Sequence, residues 1–150
     1  MKKRVSWEDL AGLDVNGASV LIVDDDPVIC RTLGKVVSGF GYDTKTASSA
    51  EEADKWLSTM RFDVVLLDIE LPRMNGVEFL SWGLARDPEL AVIMLTGLDN
   101  PDLALECLSK GARTYFVKPF DSAFIRHALR DAVAMRQLLV ERNEHAAGAT

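Results

Sequence analysis

Phe62-Asp63-Val64-Val65-Leu66-Leu67-Asp68 is a short apolar run that stops on a carboxylate, and it decides the fold. Three other runs share its form. Val20-Leu21-Ile22-Val23 stops on Asp24-Asp25-Asp26, Val92-Ile93-Met94-Leu95 on Thr96, and Thr114-Tyr115-Phe116-Val117 on Lys118. Apolar runs of this length mark parallel strands buried on both faces. Open parallel sheets bind ligands in the crevice beyond the carboxyl ends of their strands. The four runs therefore predict carboxylates, a hydroxyl and an ammonium gathered at one edge of one sheet. Such a set suits a divalent metal and a phosphoryl group.

The bulk composition narrows the function. A chain of 150 residues with 48% apolar side chains supports one domain with a real core. Acidic residues outnumber basic ones 23 to 17, for a net charge of −6, which argues against a nucleic-acid surface. Lys2-Lys3-Arg4 is the one basic cluster, and no apolar h-region follows it to make a secretory signal. No run approaches the roughly 18–20 apolar residues that cross a bilayer. Cys30 and Cys107 fall on predicted helices without a CxxC or a nearby His, as expected of buried or semi-buried thiols in a reducing cytoplasm.

From Ser19 onward strands and helices alternate. Residues 1–18 form a polar extension in which Ser6-Trp7-Glu8-Asp9 could cap a short helical turn. Strand one is expected over about 19–24, and Pro27 suits the first turn of the helix after it. Tyr42 to Ala47 alternates weakly, as an edge strand would, and Ser49-Ala50-Glu51-Glu52 reads as a capping box. Strands follow at about 63–68, 91–96 and 113–117, each trailed by a helical pattern, the last capped by Asp121 or Ser122. Five β-α units predict an α/β doubly wound, five-stranded parallel sheet with helices on both faces. In the last helix Ile125, Ala128, Ala132, Met135 and Leu139 are spaced 3-4-3-4. A helix on a small sheet needs only about three to four turns. Residues 136–150 are therefore expected to project as a linker or dimer strut, fraying after Glu141.

At the strand ends, Asp24, Asp25 and Asp68 can supply oxygen ligands to a hard cation, which would also relieve their mutual repulsion. An aspartate can then attack a phosphoryl donor and form an acyl phosphate. Lys118 can neutralise a phosphoryl oxygen, and the Thr96 hydroxyl can donate to another. Singly, each residue has an ordinary explanation: a helix cap, a turn, a solvated loop lysine. All of them at the ends of four strands on one edge make the ordinary explanation improbable.

These residues resemble the receiver domain of two-component response regulators, over about residues 19–135. The motifs are Val23-Asp24-Asp25-Asp26-Pro27, Leu67-Asp68-Ile69-Glu70-Leu71-Pro72-Arg73-Met74-Asn75-Gly76, Leu95-Thr96-Gly97 and Lys118-Pro119-Phe120, and no functional position departs from the pattern. The resemblance implies a flavodoxin-like receiver fold with Asp68 as phosphoacceptor for a histidine kinase or phosphotransfer protein. It implies Mg²⁺ (or Mn²⁺) held by Asp24, Asp25, Asp68 and the backbone carbonyl of Glu70, with Thr96 and Lys118 on the phosphoryl oxygens. It also implies a switch at Thr96 and Tyr115, a cis Lys118-Pro119 bond, a cytoplasmic location and no membrane or direct nucleic-acid contact. The tail resembles linkers to output domains such as ATPase-type transcription activators or cyclic-dinucleotide enzymes. The chain thus reads as a receiver cut from a longer protein with an output domain beyond Thr150, a single-domain regulator being the other option, and a homodimer is possible.

The rival reading is an enzyme. Asp24-Asp25-Asp26-Pro27-Val28 also fits the signature of haloacid-dehalogenase-type phosphatases, with Asp24 as nucleophile, Asp26 as general acid, and Thr96 and Lys118 as partners. That scheme needs a further acidic pair beyond the lysine, where only Asp121 and Asp131 stand, and it leaves Asp68 without a task. A nucleotide-binding module is disfavoured because Gly34, Gly39 and Gly41 do not form a GxGxxG loop.

Overall fold

Each apolar run becomes a strand because its side chains have core on both sides of the sheet. The computed structural model describes residues 17–148. Within it β1 (Ser19–Val23), α1 (Pro27–Gly39), β2 (Asp43–Ala47), α2 (Ala50–Thr59) and β3 (Val64–Leu67) alternate. They are followed by α3 (Gly76–Arg86), β4 (Ala91–Thr96), α4 (Pro101–Ser109), β5 (Thr114–Val117) and α5 (Ser122–Gly148). The strands form one parallel sheet in the order β2-β1-β3-β4-β5. The turn expected at Ser6–Asp9 lies outside the described residues.

Alternation along the strands divides the core in two. Val20, Ile22, Val64, Leu66, Ile93 and Leu95 meet α1 and α5 through Leu33, Val37, Ile125 and Leu129. Leu21, Val23, Val65, Leu67, Val92 and Met94 meet α2, α3 and α4 through Ala53, Phe79, Leu80 and Cys107. Burying each such aliphatic side chain contributes roughly 1.5–3 kcal/mol. β5 differs from the other apolar runs. It forms the second edge of the sheet, so its residues are only half-buried.

Helix starts follow their caps. Asp26 accepts from the Val28 amide ahead of Pro27, Asn75 from Glu78, and Asn100 from Asp102 and Leu103. Ser49 accepts from the Glu52 amide at 3.1 Å. The Glu52 carboxylate, however, reaches the amide and hydroxyl of Ser48 rather than closing the box on Ser49. Asp121 caps α5 by accepting from the Ala123 amide at 2.8 Å.

The last helix departs from expectation in two ways. It continues as helix to Gly148, past the expected fraying point. Its buried face is Ile125, Leu129, Ala132, Val133 and Arg136, while Ala128, Met135 and Leu139 of the 3-4-3-4 series are only partly covered. Arg136 is 2% exposed. Its Nη1 and Nη2 fork onto Asp87 at 3.3 and 3.0 Å, and Nε lies 3.6 Å from Asp63. Asp63 in turn accepts from the Ser19 amide at 2.9 Å. About two turns further on, Asn143 donates to Glu89. The helix is therefore tied to the amino-terminal edge of the sheet where free projection was expected.

Removing Arg136 would strand two carboxylates and empty a packed site. Losing one partner of a fully buried pair costs roughly 3–5 kcal/mol, and the water access of Asp63 and Asp87 lowers this to about 2 kcal/mol. Urea unfolding of Arg136→Ala should show that loss, with Arg136→Met milder because it keeps the packing. A wild-type midpoint for Arg136→Ala would contradict the clamp.

Candidate functional site

Strand register assembles the site. Val23 of β1 pairs with Leu67 of β3, so Asp24 and Asp68, each one residue on, emerge side by side. The amide of Asp68 donates to the Val23 carbonyl at 2.9 Å and fixes the exit. Thr96 pairs with Val117, and the Lys118 amide donates to the Thr96 carbonyl at 2.8 Å. The crossover reverses direction between β1 and β3, which is where a doubly wound sheet opens its crevice.

Lys118 closes the cluster. Its Nζ lies 2.6 Å from Asp24 Oδ2 and 3.2 Å from Asp68 Oδ2. Asp24 and Asp68 are only 3% and 5% exposed, so the ammonium offsets charges that water barely reaches. Asp25 stands exposed beside them. One carboxylate oxygen from each of Asp24, Asp25 and Asp68 lies within 4.8 Å of the others. Three hard oxygen donors at that separation fit a small divalent cation.

Both partners have raised pKa values, which disfavours the charge on Asp24 and favours it on Lys118. Burial pushes the Asp24 carboxyl above the usual carboxylate range, and the Asp68 charge adds to the rise, although Lys118 and the Asp26 amide pull it down. Burial pulls the Lys118 ammonium down, but the Asp24 hydrogen bond and both carboxylate charges outweigh it and hold its pKa above the ordinary lysine value. Lys118 is therefore the fixed charge of the cluster, and Asp24 is the strained one.

Two loops frame the cluster. The Glu70 amide donates to Asp68 Oδ1 at 3.3 Å, opposite the Lys118 contact on Oδ2. Gly76 packs on the same turn: a Cβ there would stand 2.1 Å from the Asp68 carbonyl oxygen, so only glycine fits. On the β4–α4 side, the Thr96 hydroxyl accepts from the Leu98 amide at 3.4 Å, and the Tyr115 hydroxyl donates to the Leu98 carbonyl at 2.5 Å. One peptide segment thus joins Thr96 to Tyr115. The Lys118-Pro119 bond is cis.

Lys118 thus touches Asp24 and Asp68, Asp25 stands with an oxygen within 4.8 Å of theirs, the Glu70 amide reaches Asp68, the Thr96 backbone holds Lys118, and Tyr115 connects through Leu98. Asp26 stands apart, its carboxylate spent on the Val28 amide. This corrects the phosphatase scheme, which needs Asp26 as general acid. That scheme also needs acids beyond Lys118, yet Asp121 caps α5 and Asp131 is exposed on it. Sequence reading missed Arg73 of the same loop, whose guanidinium forks onto Glu51 at 3.0 and 3.2 Å. Its only signal was a lone arginine in a turn.

Among the described residues no helix is long and apolar enough to cross a membrane. The family model described as response regulator receiver domain matches residues 20–130. The transcriptional regulatory protein ZraR of Escherichia coli K12 is 32% identical over 115 residues, 77% of this chain and 26% of that protein. The alginate biosynthesis transcriptional regulatory protein AlgB of Pseudomonas aeruginosa is 34% identical over 119 residues, 79% of this chain and 26% of that protein. The chain spans about a quarter of the length of these relatives. A CheY-like receiver domain from Methanospirillum hungatei superposes with a TM-score of 0.77 at 27% identity, covering 81% of this chain and 98% of that one. The CheX-CheY-BeF3-Mg complex from Borrelia burgdorferi gives 0.73 at 33% identity, over 81% and 95%. With the apolar strands, their acidic ends and the lysine bridge in place, the chain belongs to the response-regulator receiver domains, the phosphoacceptor signalling modules of two-component systems.

Proposed function

We propose that Asp68 is the phosphoacceptor and that the donor is the phosphohistidine of a histidine kinase or phosphotransfer protein. The observation that carries this reading is the Lys118 ammonium shared between Asp24 and Asp68 in a nearly dry pocket. An Asp68 carboxylate oxygen attacks phosphorus, the P–N bond breaks, and its electron pair returns to the imidazole nitrogen. Lys118 then exchanges a carboxylate for a phosphoryl oxygen, and the Thr96 hydroxyl donates to another. Asp24, Asp25, Asp68 and the Glu70 carbonyl would hold Mg²⁺ or Mn²⁺. The bound cation supplies positive charge against the entering phosphoryl oxygens.

The hydrogen bonds that Thr96 and Tyr115 make to opposite sides of the Leu98 segment support a mechanical readout. Movement of Thr96 toward a phosphoryl group would carry that segment and release or re-seat the Tyr115 ring. The domain catalyses only its own phosphorylation and dephosphorylation. Residues 19–135 form the switch, and 136–150 lead toward an output domain or partner.

Acetyl phosphate with Mg²⁺ should label Asp68, located by borohydride trapping and mass spectrometry. Asp68→Asn should abolish the label, and Lys118→Ala should allow metal binding but blunt the response. Label on Asp24 would overturn the assignment.

Asp24 also makes a stability prediction. A carboxyl whose folded pKa is raised above its ordinary 3.8 contributes stability below that value and loses it as pH climbs through the folded pKa. In EDTA, Asp24→Asn should therefore raise the melting temperature by a few degrees at pH 8 and by less at pH 4. Equal or lower melting at pH 8 would show that Lys118 more than compensates the burial.

A further inference from the structure

The turn between β3 and α3 contains one residue in an uncommon conformation. Arg73 has φ +68°, in the left-handed region that disfavours residues with a Cβ. Nothing in its own turn demands arginine. Its guanidinium, however, leaves the turn and forks onto Glu51 in the first turn of α2, Nε to Oε1 at 3.0 Å and Nη2 to Oε2 at 3.2 Å. This is the bidentate geometry that fixes orientation as well as distance, which lysine cannot reproduce. The Arg73 hydrogen bonds hold the Glu51 carboxyl down to about 2, so the pair stays ionised from mildly acidic pH upward.

The turn so held is the one that touches the cluster. The Leu71 and Gly76 amides both donate to the Ile69 carbonyl, at 3.0 and 2.8 Å, and the Met74 amide donates to the Pro72 carbonyl at 2.8 Å. These bonds make residues 69–76 one closed unit. Its leading end places the Glu70 amide on Asp68 Oδ1. The strained residue, its fork and the oxygen of the reactive carboxylate are therefore connected by a short, hydrogen-bonded path.

We propose that Arg73 is a positioning residue for phosphorylation, using its fork on Glu51 to hold the β3–α3 turn so that the Glu70 amide orients the Asp68 carboxylate. The proposal rests on the reading of Asp68 as phosphoacceptor. It makes α2 part of the reaction machinery although none of its side chains reaches the acidic cluster. A second ion pair, Arg86 to Asp54 at 2.6 Å, also ties α3 to α2 but makes no link to the turn, and it serves as the internal control.

The test compares acetyl phosphate labelling in saturating Mg²⁺ for wild type, Arg73→Ala, Glu51→Ala, the double variant and Arg86→Ala. An exposed pair has modest leverage, so each single variant should lower the labelling rate at saturating donor by about two- to fivefold. The double variant should be no slower than either single one, and Arg86→Ala should match wild type. The Glu70 amide resonance should shift in both strap variants while the melting temperature stays put. Wild-type labelling rates and an unmoved Glu70 amide in Arg73→Ala and Glu51→Ala would overturn the proposal. Equal slowing by Arg86→Ala would also overturn it, by assigning the effect to general α2–α3 packing. Wild-type protein that takes no label on Asp68 would instead remove the reading beneath it.

Discussion

The Lys118 ammonium between Asp24 and Asp68 is the contact on which the rest of the site depends. Two carboxylates nearly out of water, at adjacent strand ends, repel each other, and burial holds the Asp24 carboxyl above the usual carboxylate range. The parallel register leaves no freedom to separate them, because Val23 faces Leu67 and each chain exits one residue later. The fold therefore concentrates negative charge and answers it from the far side of β4, with a lysine that the Thr96–Val117 pairing delivers. The answer is partial, since one ammonium serves two buried acids while Asp25 waits beside them. A site left short of positive charge is a site built to receive more.

The opposite edge of the sheet carries a second arrangement of charge with a different purpose. Arg136, buried on α5, gathers Asp87 and Asp63, and Asp63 holds the start of β1. One guanidinium again serves two carboxylates, but Asp63 and Asp87 both keep access to water, and its role is to fix the last helix against the sheet. β3 thus begins under one ion cluster and ends in the other. The upper cluster holds its acids nearly dry and adds the carboxylate of Asp25; the lower one leaves its acids partly in water and buries the cation instead.

The sequence made the fold and most of the site legible for one physical reason. Strands buried on both faces must be continuously apolar, so the first polar residue after each run marks a strand end, as at Asp24, Asp68 and Thr96. Edge strands lack that requirement, which is why β2 read weakly and why the half-buried state of β5 was not foreseen. Arg136 was illegible because a charged residue on a helix normally faces water, and only the carboxylates of Asp63 and Asp87, distant in sequence, make its burial tolerable. The Arg73–Glu51 fork was illegible for the same reason: 22 residues separate the pair, and no local pattern joins them. The 3-4-3-4 spacing did not mark the face that the sheet covers, because Leu129, Val133 and Arg136 take that place while Met135 and Leu139 stay half-covered.

The phosphoacceptor reading of Asp68 requires that Asp24, Asp25 and Asp68 form one cation site beside Lys118. A Mg²⁺ titration followed by amide NMR, on wild type and on Asp25→Asn, addresses that claim most directly, because Asp25 is exposed and its loss spares the core. One cation site should give a single saturable set of shifts at residues 24–26, 68–70 and 96–98 in wild type, greatly weakened in Asp25→Asn. Diffuse, unsaturated shifts spread over the acidic surface and identical in both proteins would contradict it.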